Sequence, residues 1–344
     1  MESKVADRPK ADAQNRKFKR ISVEEAITIP EVVEELSRIA GGVPSMKSGP
    51  IAGPFMPKLV EFGKGRIATM DADGVDMQVL SLTAPGVQKF DADKGLSLAQ
   101  LANDRLADAC RAHPTRFAGL ASIPVQTPAA AVKELDRAVT KLGLKGLIIN
   151  SHTNGEYLDD PKYWPILEAV AALDVPLYIH PREPSPSIEQ TIMMPGFTVG
   201  WGYAVETGTH ALRLIVAGVF DRYPNLRIVL GHLGETIPFL LKRMDGRYGF
   251  EVRAVGVKPL AKLPSEYFLD HFVVTTSGMN FPAPVRAAID ILGADRVLFA
   301  ADYPLEDEAQ AVDDFDAIPM SDEERLKTYE LNSRRVFGID GPIG

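Results

Sequence analysis

The sequence predicts a single-domain α/β protein, a (β/α)8 TIM barrel with insertions in its βα loops. Three observations predict this fold. Eight short runs rich in β-branched residues are spread along the 344 residues, and segments of helical periodicity lie between most of them. The links are short, which is typical of a parallel sheet. Acidic and basic residues follow several of the runs directly, at the strand ends where barrel enzymes carry their chemistry.

The helical segments between the strands have recognisable starts and stops. The stretch AAAVKELDRAVTKLGL puts its apolar residues on one face, and Asp160 before Pro161 marks a helix start. Two later segments end at a proline and at Gly293, and SDEERL carries a capping box. The eight predicted strands are Ile21–Ala26, Met77–Thr83, Phe117–Val125, Leu144–Ser151, Pro176–His180, Arg227–His232, Phe272–Ser277 and Val297–Asp302.

Three stretches exceed what one barrel requires. Pro30–Met70 is long and rich in Gly and Pro, and Pro184–Tyr203 is a long segment after the fifth strand. Loops of this kind form lids, pockets and subunit contacts. Residues 1–19 are predicted to be a flexible basic arm, either disordered or embracing another subunit, and residues 20–344 the barrel itself.

Composition excludes several classes of function. The chain has a formal net charge of −8, which gives no basic footprint for nucleic acid. Cys110 is its one cysteine, so no internal disulfide is possible, and no apolar stretch is long enough to span a membrane. The basic N-terminus lacks the apolar core of a secretory signal, and we expect a cytoplasmic protein. No Walker or dinucleotide fingerprint occurs, so no organic cofactor is predicted.

Strand-end residues predict one divalent metal ion per subunit. Glu24, His180 and Asp302 each close a predicted strand, and carboxylate and imidazole groups are common metal ligands. Adjacent Glu24 and Glu25 must face opposite ways, whereas Ala26 shares the side of Glu24 and supplies no ligand. Three ligands with open positions are typical of a catalytic Mn²⁺, Mg²⁺ or Zn²⁺ site. The alternative for His180 alone is a structural hydrogen bond.

A second pair of residues predicts acid–base chemistry. His232 closes the sixth strand, and Glu235 is expected in the first helical turn, where it could hydrogen-bond the imidazole. The alternative is a structural helix cap. Arg243 lies eleven residues after His232, a poor distance for reaching its own barrel mouth. It could serve a neighbouring subunit or be a solvated charge.

Six stretches carry a family resemblance that runs from about Ile21 to Phe337. VEEA, SLTAPGVQ, GLKGLIINSHTNGEYLDD, PLYIHPREPSPS, THALRLIVAGVFDRYPNLRIVLGHLGE and FAADYPLE resemble the amidohydrolase-2 group of the amidohydrolase superfamily. More narrowly they are similar to 2,3-dihydroxybenzoate, γ-resorcylate and 5-carboxyvanillate decarboxylases.

The resemblance implies the same barrel and a mononuclear metal held by Glu24, His180 and Asp302. It implies that His232 and Glu235 form the catalytic support pair. Arg243 matches an arginine that in relatives helps to hold the substrate carboxylate, sometimes across a subunit boundary. The Glu24-x-Ala26 form, instead of His-x-His, is shared with some decarboxylases and argues against a binuclear hydrolase.

We therefore predict a metal-dependent, non-oxidative decarboxylase of an ortho-hydroxylated aromatic acid, with Asp302 as the proton donor. The ring carbon is protonated before CO₂ leaves, which avoids a free aryl carbanion. Thr83, at the end of the second strand, and Arg243 are predicted to bind substrate. A homodimer or homotetramer is expected. The alternatives are a metal-dependent hydrolase of a lactone or amide, and a catalytically silent barrel used for binding.

Overall fold

Eight parallel strands form the centre of the structure. The chain is described by a computed structural model over residues 17–39 and 53–344. Strands β1 to β3 form one parallel sheet and β4 to β8 another. The strands are β1 Ile21–Ile27, β2 Met77–Leu82, β3 Phe117–Gly119, β4 Leu147–Asn150, β5 Leu177–His180, β6 Ile228–Leu230, β7 Phe272–Thr275 and β8 Val297–Leu298.

Hydrogen bonds join the two sheets at both seams. A parallel bridge pairs Ala121 with Leu147 between β3 and β4. On the other side the Ala26 N–H donates to the Tyr303 carbonyl, 2.8 Å away, which links β1 to the chain after β8. The predicted order of eight parallel strands is confirmed.

Helices follow the strands as expected of a βα barrel. The predicted capping box at Ser321 and Glu324 is present, and Asp160 caps a short 3₁₀ turn over Pro161–Tyr163. The helices are α1 Pro30–Ile39, α2 Met56–Leu59, α3 Lys64–Asp73, α4 Ala92–Ala112, α5 Pro128–Thr140, α6 Trp164–Ala172, α7 Glu189–Ile192, α8 Ala204–Val216, α9 Val219–Arg222, α10 His232–Glu235, α11 Leu241–Val255, α12 Pro264–His271, α13 Pro282–Leu292, α14 Glu308–Asp316, α15 Asp322–Leu326 and α16 Asn332–Phe337.

Strands β3 and β8 are shorter than predicted because backbone N–H groups beyond the end of each strand donate to acceptors outside the neighbouring strands. After β3 the Ser122 N–H donates to the Asn103 side chain at 2.8 Å. After β8 the Phe299 N–H donates to the Thr328 carbonyl at 3.0 Å, and the Ala300 N–H to Thr276 Oγ1 at 3.1 Å. Backbone groups stay paired, but side chains and a helix supply the partners.

The C-terminal segment closes the end of the barrel where the strands begin. Val336, Phe337, Ile339 and Ile343 are buried in one cluster with inward side chains such as Ile21 from the start of β1. A second, larger cluster fills the space between the strands and the surrounding helices.

The predicted insertions contain helices of their own. Pro30–Met70 supplies α1, α2 and the start of α3, although residues 40–52 lie outside the described part of the chain. Residues 1–16 of the predicted arm also lie outside it, so that domain boundary stays a prediction. Among residues 17–39 and 53–344, no helix is long and apolar enough to cross a membrane.

Candidate active site

A bulge in β1 aims Glu24 into the barrel. Ser22 pairs with Gln78 and Glu25 pairs with Leu80, so Val23 and Glu24 together oppose a single residue of β2. A bulge of this kind changes which face a side chain occupies. Val23 belongs to the interior cluster, and Glu24 follows it inward. The prediction that the two adjacent glutamates face opposite ways is confirmed.

Three hydroxyl groups hold one oxygen of the Glu24 carboxylate. Oε2 accepts hydrogen bonds from Tyr178, Ser277 and Thr275, the last at 2.7 Å. Oε1 is buried and has no hydrogen-bond partner within residues 17–39 and 53–344, and His180 Nε2 lies 3.8 Å from it. Burial would raise the pKa of Glu24, but His232, His180 and the hydroxyl donors outweigh burial and lower it. The group is therefore an anion with one oxygen available.

Asp302 lies at the same end of the barrel in a left-handed backbone conformation, with φ of 69°. Its Oδ1 is buried and has no hydrogen-bond partner among the described residues. Burial, reinforced by the charge of Glu24, raises the pKa of Asp302 well above its usual value. The surroundings thus push the pKa values of the two carboxyl groups in opposite directions, which is the pattern of an acid–base site.

His232 and Glu235 form the predicted pair. Nδ1 of His232 lies 2.8 Å from Oε1 of Glu235. The imidazole is 27% exposed and the carboxylate 1%, so Glu235 supports the ring from behind. Burial lowers the pKa of His232, but the carboxylates of Glu235 and Glu24 outweigh it and raise the pKa to about 10.

The backbone that presents this pair differs from the prediction. We expected Glu235 in an ordinary right-handed helical turn. Instead, all five residues from His232 to Thr236 have positive φ, between 50° and 81°. The turn is left-handed, and it brings residues 232 and 235 to the same side.

The two predicted substrate-binding residues lie in different environments. Thr83 follows β2, is buried, and its Oγ1 has no hydrogen-bond partner among the described residues. Arg243 is exposed in the first turn of α11 and forms no ion pair within the described chain. The structure therefore does not bring Arg243 together with the other site residues.

Residues that sequence reasoning missed hold Glu24 in place. Tyr178 lies two positions before His180 on β5, and Thr275 and Ser277 alternate along and just after β7. Period-two alternation could have placed all three on the inward side. What the sequence could not show was that their hydroxyls converge on one carboxylate.

The donor set fits a divalent cation. Glu24 Oε1 and Asp302 Oδ1 are buried and have no hydrogen-bond partner in the described part of the chain. Together with the nearby imidazole of His180 they supply the oxygen and nitrogen ligands that Mn²⁺ and similar ions accept. Leaving such oxygens unpaired is costly in a protein interior. Within the described residues, no three His, Cys, Asp or Glu side chains are close enough to qualify as a metal cluster. The fit therefore comes from donor chemistry and not from a closed ligand cage.

A parallel barrel with carboxylates and histidines at its C-terminal strand ends defines a class of metal-assisted barrel enzymes. The chain belongs to the amidohydrolase family, whose profile matches residues 55–339. It is 37% identical over 331 residues to γ-resorcylate decarboxylase from Rhizobium sp. (strain MTP-10005), covering 94% of this chain and 99% of that protein.

Two solved structures extend the comparison. The 5-carboxyvanillate decarboxylase from Sphingomonas paucimobilis superimposes with a TM-score of 0.89 at 42% identity, covering 94% of this chain and 99% of that one. The enzyme of the same name from Novosphingobium aromaticivorans, solved with manganese and 4-hydroxy-3-methoxy-5-nitrobenzoic acid, gives 0.85 at 36% identity, covering 94% and 96%.

These relatives confirm four predictions: the family, the barrel fold, the carboxy-lyase class, and metal-dependent decarboxylation of an aromatic acid. Manganese in the related structure confirms the prediction of a divalent ion.

Proposed function

We propose that this chain decarboxylates, without oxidation, an aromatic acid that carries a hydroxyl group ortho to its carboxylate. The observation that supports this most strongly is the pair of inward carboxyl groups, Glu24 and Asp302, each of which has a buried oxygen without a hydrogen-bond partner among the described residues. Both can help to hold a cation, and Asp302, whose pKa is raised, can also supply a proton.

The names of the relatives support the ortho-hydroxyl group. γ-Resorcylate has a hydroxyl on each side of its carboxylate. In 4-hydroxy-3-methoxy-5-nitrobenzoic acid the planar nitro group, which resembles a carboxylate in shape, lies next to the hydroxyl.

Glu24, His180 and Asp302 are the proposed ligands of one manganese or similar ion. When bound, such an ion would polarise the phenolic oxygen and orient the adjacent carboxylate. Asp302 is the proposed donor to the ring carbon that bears the carboxylate. Protonation there gives the ring a carbonyl-like C–O group. The bond to the carboxylate then breaks, CO₂ leaves, and the bonding electrons restore the aromatic ring.

His232 has a supporting role in this scheme. With a pKa raised to about 10 it stays cationic at neutral pH, and its exposed edge can stabilise negative charge on the substrate. Glu235 fixes the orientation of the ring through Nδ1. Thr83, with its unpartnered hydroxyl, is proposed to contact substrate from the β2 side.

Arg243 is proposed to act from a neighbouring subunit in a homodimer or homotetramer. Arg243 is exposed, and α11 and the turn before it also expose Phe239, Leu240 and Phe250. Exposed apolar side chains grouped in this way favour a protein interface. A cytoplasmic location also remains a proposal.

Turnover in D₂O tests the proposed reaction. A panel of ortho-hydroxybenzoates is incubated with MnCl₂, and CO₂ and the phenolic product are measured. We expect one deuterium at the carbon that lost the carboxylate. Asp302→Asn keeps the shape but cannot donate a carboxyl proton, and it should lose at least ~100-fold in kcat. Acid release from lactones, with no CO₂ from any hydroxybenzoate, would favour the hydrolase alternative.

A further inference from the structure

The second glutamate of β1 is buried and takes no part in the proposed chemistry. Glu25 is fully buried and faces away from Glu24. Its Oε2 accepts the Tyr303 N–H at 2.9 Å, and its Oε1 accepts the Ala301 N–H at 3.2 Å. Those two N–H groups belong to the residues on either side of Asp302. One carboxylate therefore brackets the proposed proton donor without touching its side chain.

Other contacts fix the same three-residue segment to β1. The Tyr303 carbonyl accepts the Ala26 N–H at 2.8 Å, so Tyr303 is held at both its backbone groups. The Ala301 N–H also donates to Ser22 Oγ at 2.9 Å. Because β1 also carries Glu24, these bonds set the position of Asp302 relative to Glu24.

A buried cation accompanies Glu25. Arg66 is 1% exposed, and it donates from Nη1 to the Ala26 carbonyl at 2.8 Å and from Nε to Gln78 Oε1 at 2.5 Å. Its guanidinium carbon lies 4.7 Å from the ring centroid of Tyr303. Buried charges of this kind contribute little net stability compared with a well-packed apolar group, so they are more easily explained by a positional role.

Asp302 needs such support because of its backbone. An aspartate can adopt a φ of 69°, but the conformation is sparsely populated and persists only where neighbours enforce it. The bonds from Glu25 enforce it from both sides.

We propose that Glu25 is a positioning residue, which holds the segment Ala301–Tyr303 so that the carboxyl group of Asp302 faces Glu24 across the barrel mouth. This inference rests on the proposed role of Asp302 in decarboxylation. Glu25 acts through the backbone and touches neither substrate nor metal.

Glu25→Gln tests the inference, with Glu308→Gln as the matched control. The glutamine keeps the size of the side chain but turns an N–H₂ group toward one backbone N–H, which removes one of the two anchors. Glu308 is a buried carboxyl in the same cluster and accepts from Gln78, but it has no hydrogen bond to residues 301–303. Glu308→Gln therefore replaces a comparable buried carboxyl group and leaves the hydrogen bonds from the Ala301 and Tyr303 N–H groups to Glu25 intact.

Steady-state kinetics and hydrogen exchange are measured on both variants with Mn²⁺ bound. For Glu25→Gln we expect kcat to fall roughly 30- to 100-fold while KM stays within about threefold, because geometry and not substrate binding is altered. Metal content at saturating MnCl₂ should equal that of the parent, although the Kd for Mn²⁺ should rise, because Asp302 is also a proposed ligand. The amides of Ala301 and Tyr303 should exchange at least ~10-fold faster. Glu308→Gln should stay within about threefold of the parent in all four measurements.

Each result of these measurements supports or contradicts the positioning role of Glu25. Faster exchange with unchanged kcat would overturn the positioning role. Unchanged exchange would show that Glu25 does not hold the Ala301 and Tyr303 N–H groups. Loss of metal in proportion to kcat at saturating MnCl₂ would also overturn the positioning role, because the lost turnover would then follow from the missing ion and not from the orientation of the Asp302 carboxyl group. If the parent released no CO₂ from any hydroxybenzoate, the proposed function would fail. The exchange data would still show whether Glu25 holds the Ala301 and Tyr303 N–H groups. Should Glu25→Gln not fold, Ser22→Ala removes one acceptor of the Ala301 N–H together with the hydroxyl that donates to Glu25 Oε1, while the Tyr303 anchor stays, and kcat should fall roughly 3- to 10-fold.

Discussion

Replacing Gly231 by alanine should displace the Glu24 carboxylate and weaken metal binding. The backbone of Gly231 has φ of −65° and ψ of 177°, which alanine adopts without strain. The added Cβ would lie 2.8 Å from Oε1 and 3.2 Å from Oε2 of Glu24. The clash therefore involves one carboxylate, and that carboxylate is already held by three hydroxyl donors.

The size of the effect follows from these distances. Ordinary contact of a Cβ begins at 3.4 Å, so the carboxylate must move by about 0.6 Å. Metal–ligand distances tolerate only about 0.2 Å. Overpacking of this kind costs about 1–3 kcal/mol. We expect the Kd for Mn²⁺ to rise roughly 10- to 100-fold, since about 1.4 kcal/mol corresponds to a factor of ten.

Calorimetric titration of the metal-free protein with MnCl₂ measures this change. Gly341→Ala is the matched control, because an added Cβ there meets no atom of the described residues within 4 Å. It should bind Mn²⁺ as the parent does. If Gly231→Ala also bound Mn²⁺ within twofold of the parent, Glu24 would not be a metal ligand in the position described.

Three further predictions concern the histidines and the substrate. His180→Ala should lose the single bound metal ion, whereas His232→Asn should keep it and lose at least ~100-fold in kcat; equal metal loss by elemental analysis would show that the roles are wrongly divided. Burial lowers the pKa of His210 to about 3, and its Nε2 accepts a hydrogen bond from the Leu158 N–H. The neutral ring therefore stabilises the fold above pH 6.5, and this stability is lost as the pH falls toward 3. His210→Gln should therefore lower the midpoint of acid unfolding by about half a pH unit, followed by circular dichroism, and an unchanged midpoint would contradict a buried neutral histidine. An ortho-methoxybenzoate should not react where its ortho-hydroxy analogue does, because an ether cannot supply a phenolate oxygen; comparable kcat/KM by product chromatography would exclude the proposed chemistry.

The strand pattern was predictable because it depends on local composition. Each β-branched run became a strand near its predicted start, since burial on both faces requires continuous apolar residues. The ends were less predictable. At β8 the strand stops after Leu298 because Thr328, far along the chain, takes the next backbone N–H. Sequence patterns carry no information on such distant partners.

The site was predictable as a set of residue types but not as a geometry. Glu24, His180, Asp302 and His232 each lie in or near the last part of a predicted strand, which the sequence shows. The choice of Glu24 over Glu25 as the inward residue depends on a bulge that leaves no mark in VEEA. Arg243 is the opposite case. The sequence predicts a role in substrate binding, but that role requires a second subunit and is therefore not visible in one chain.

The left-handed turn from His232 to Thr236 has a consequence for how this protein can change. Four of its five residues are not glycine, and Thr236 is β-branched, a side chain that resists positive φ most strongly. Each such residue costs about 1 kcal/mol relative to a relaxed backbone. Variants that unwind the turn would gain thermostability and misdirect the His232 imidazole. Selection for heat resistance and selection for turnover therefore oppose each other at this segment. A variant that gains one of these two properties through changes here would lose part of the other.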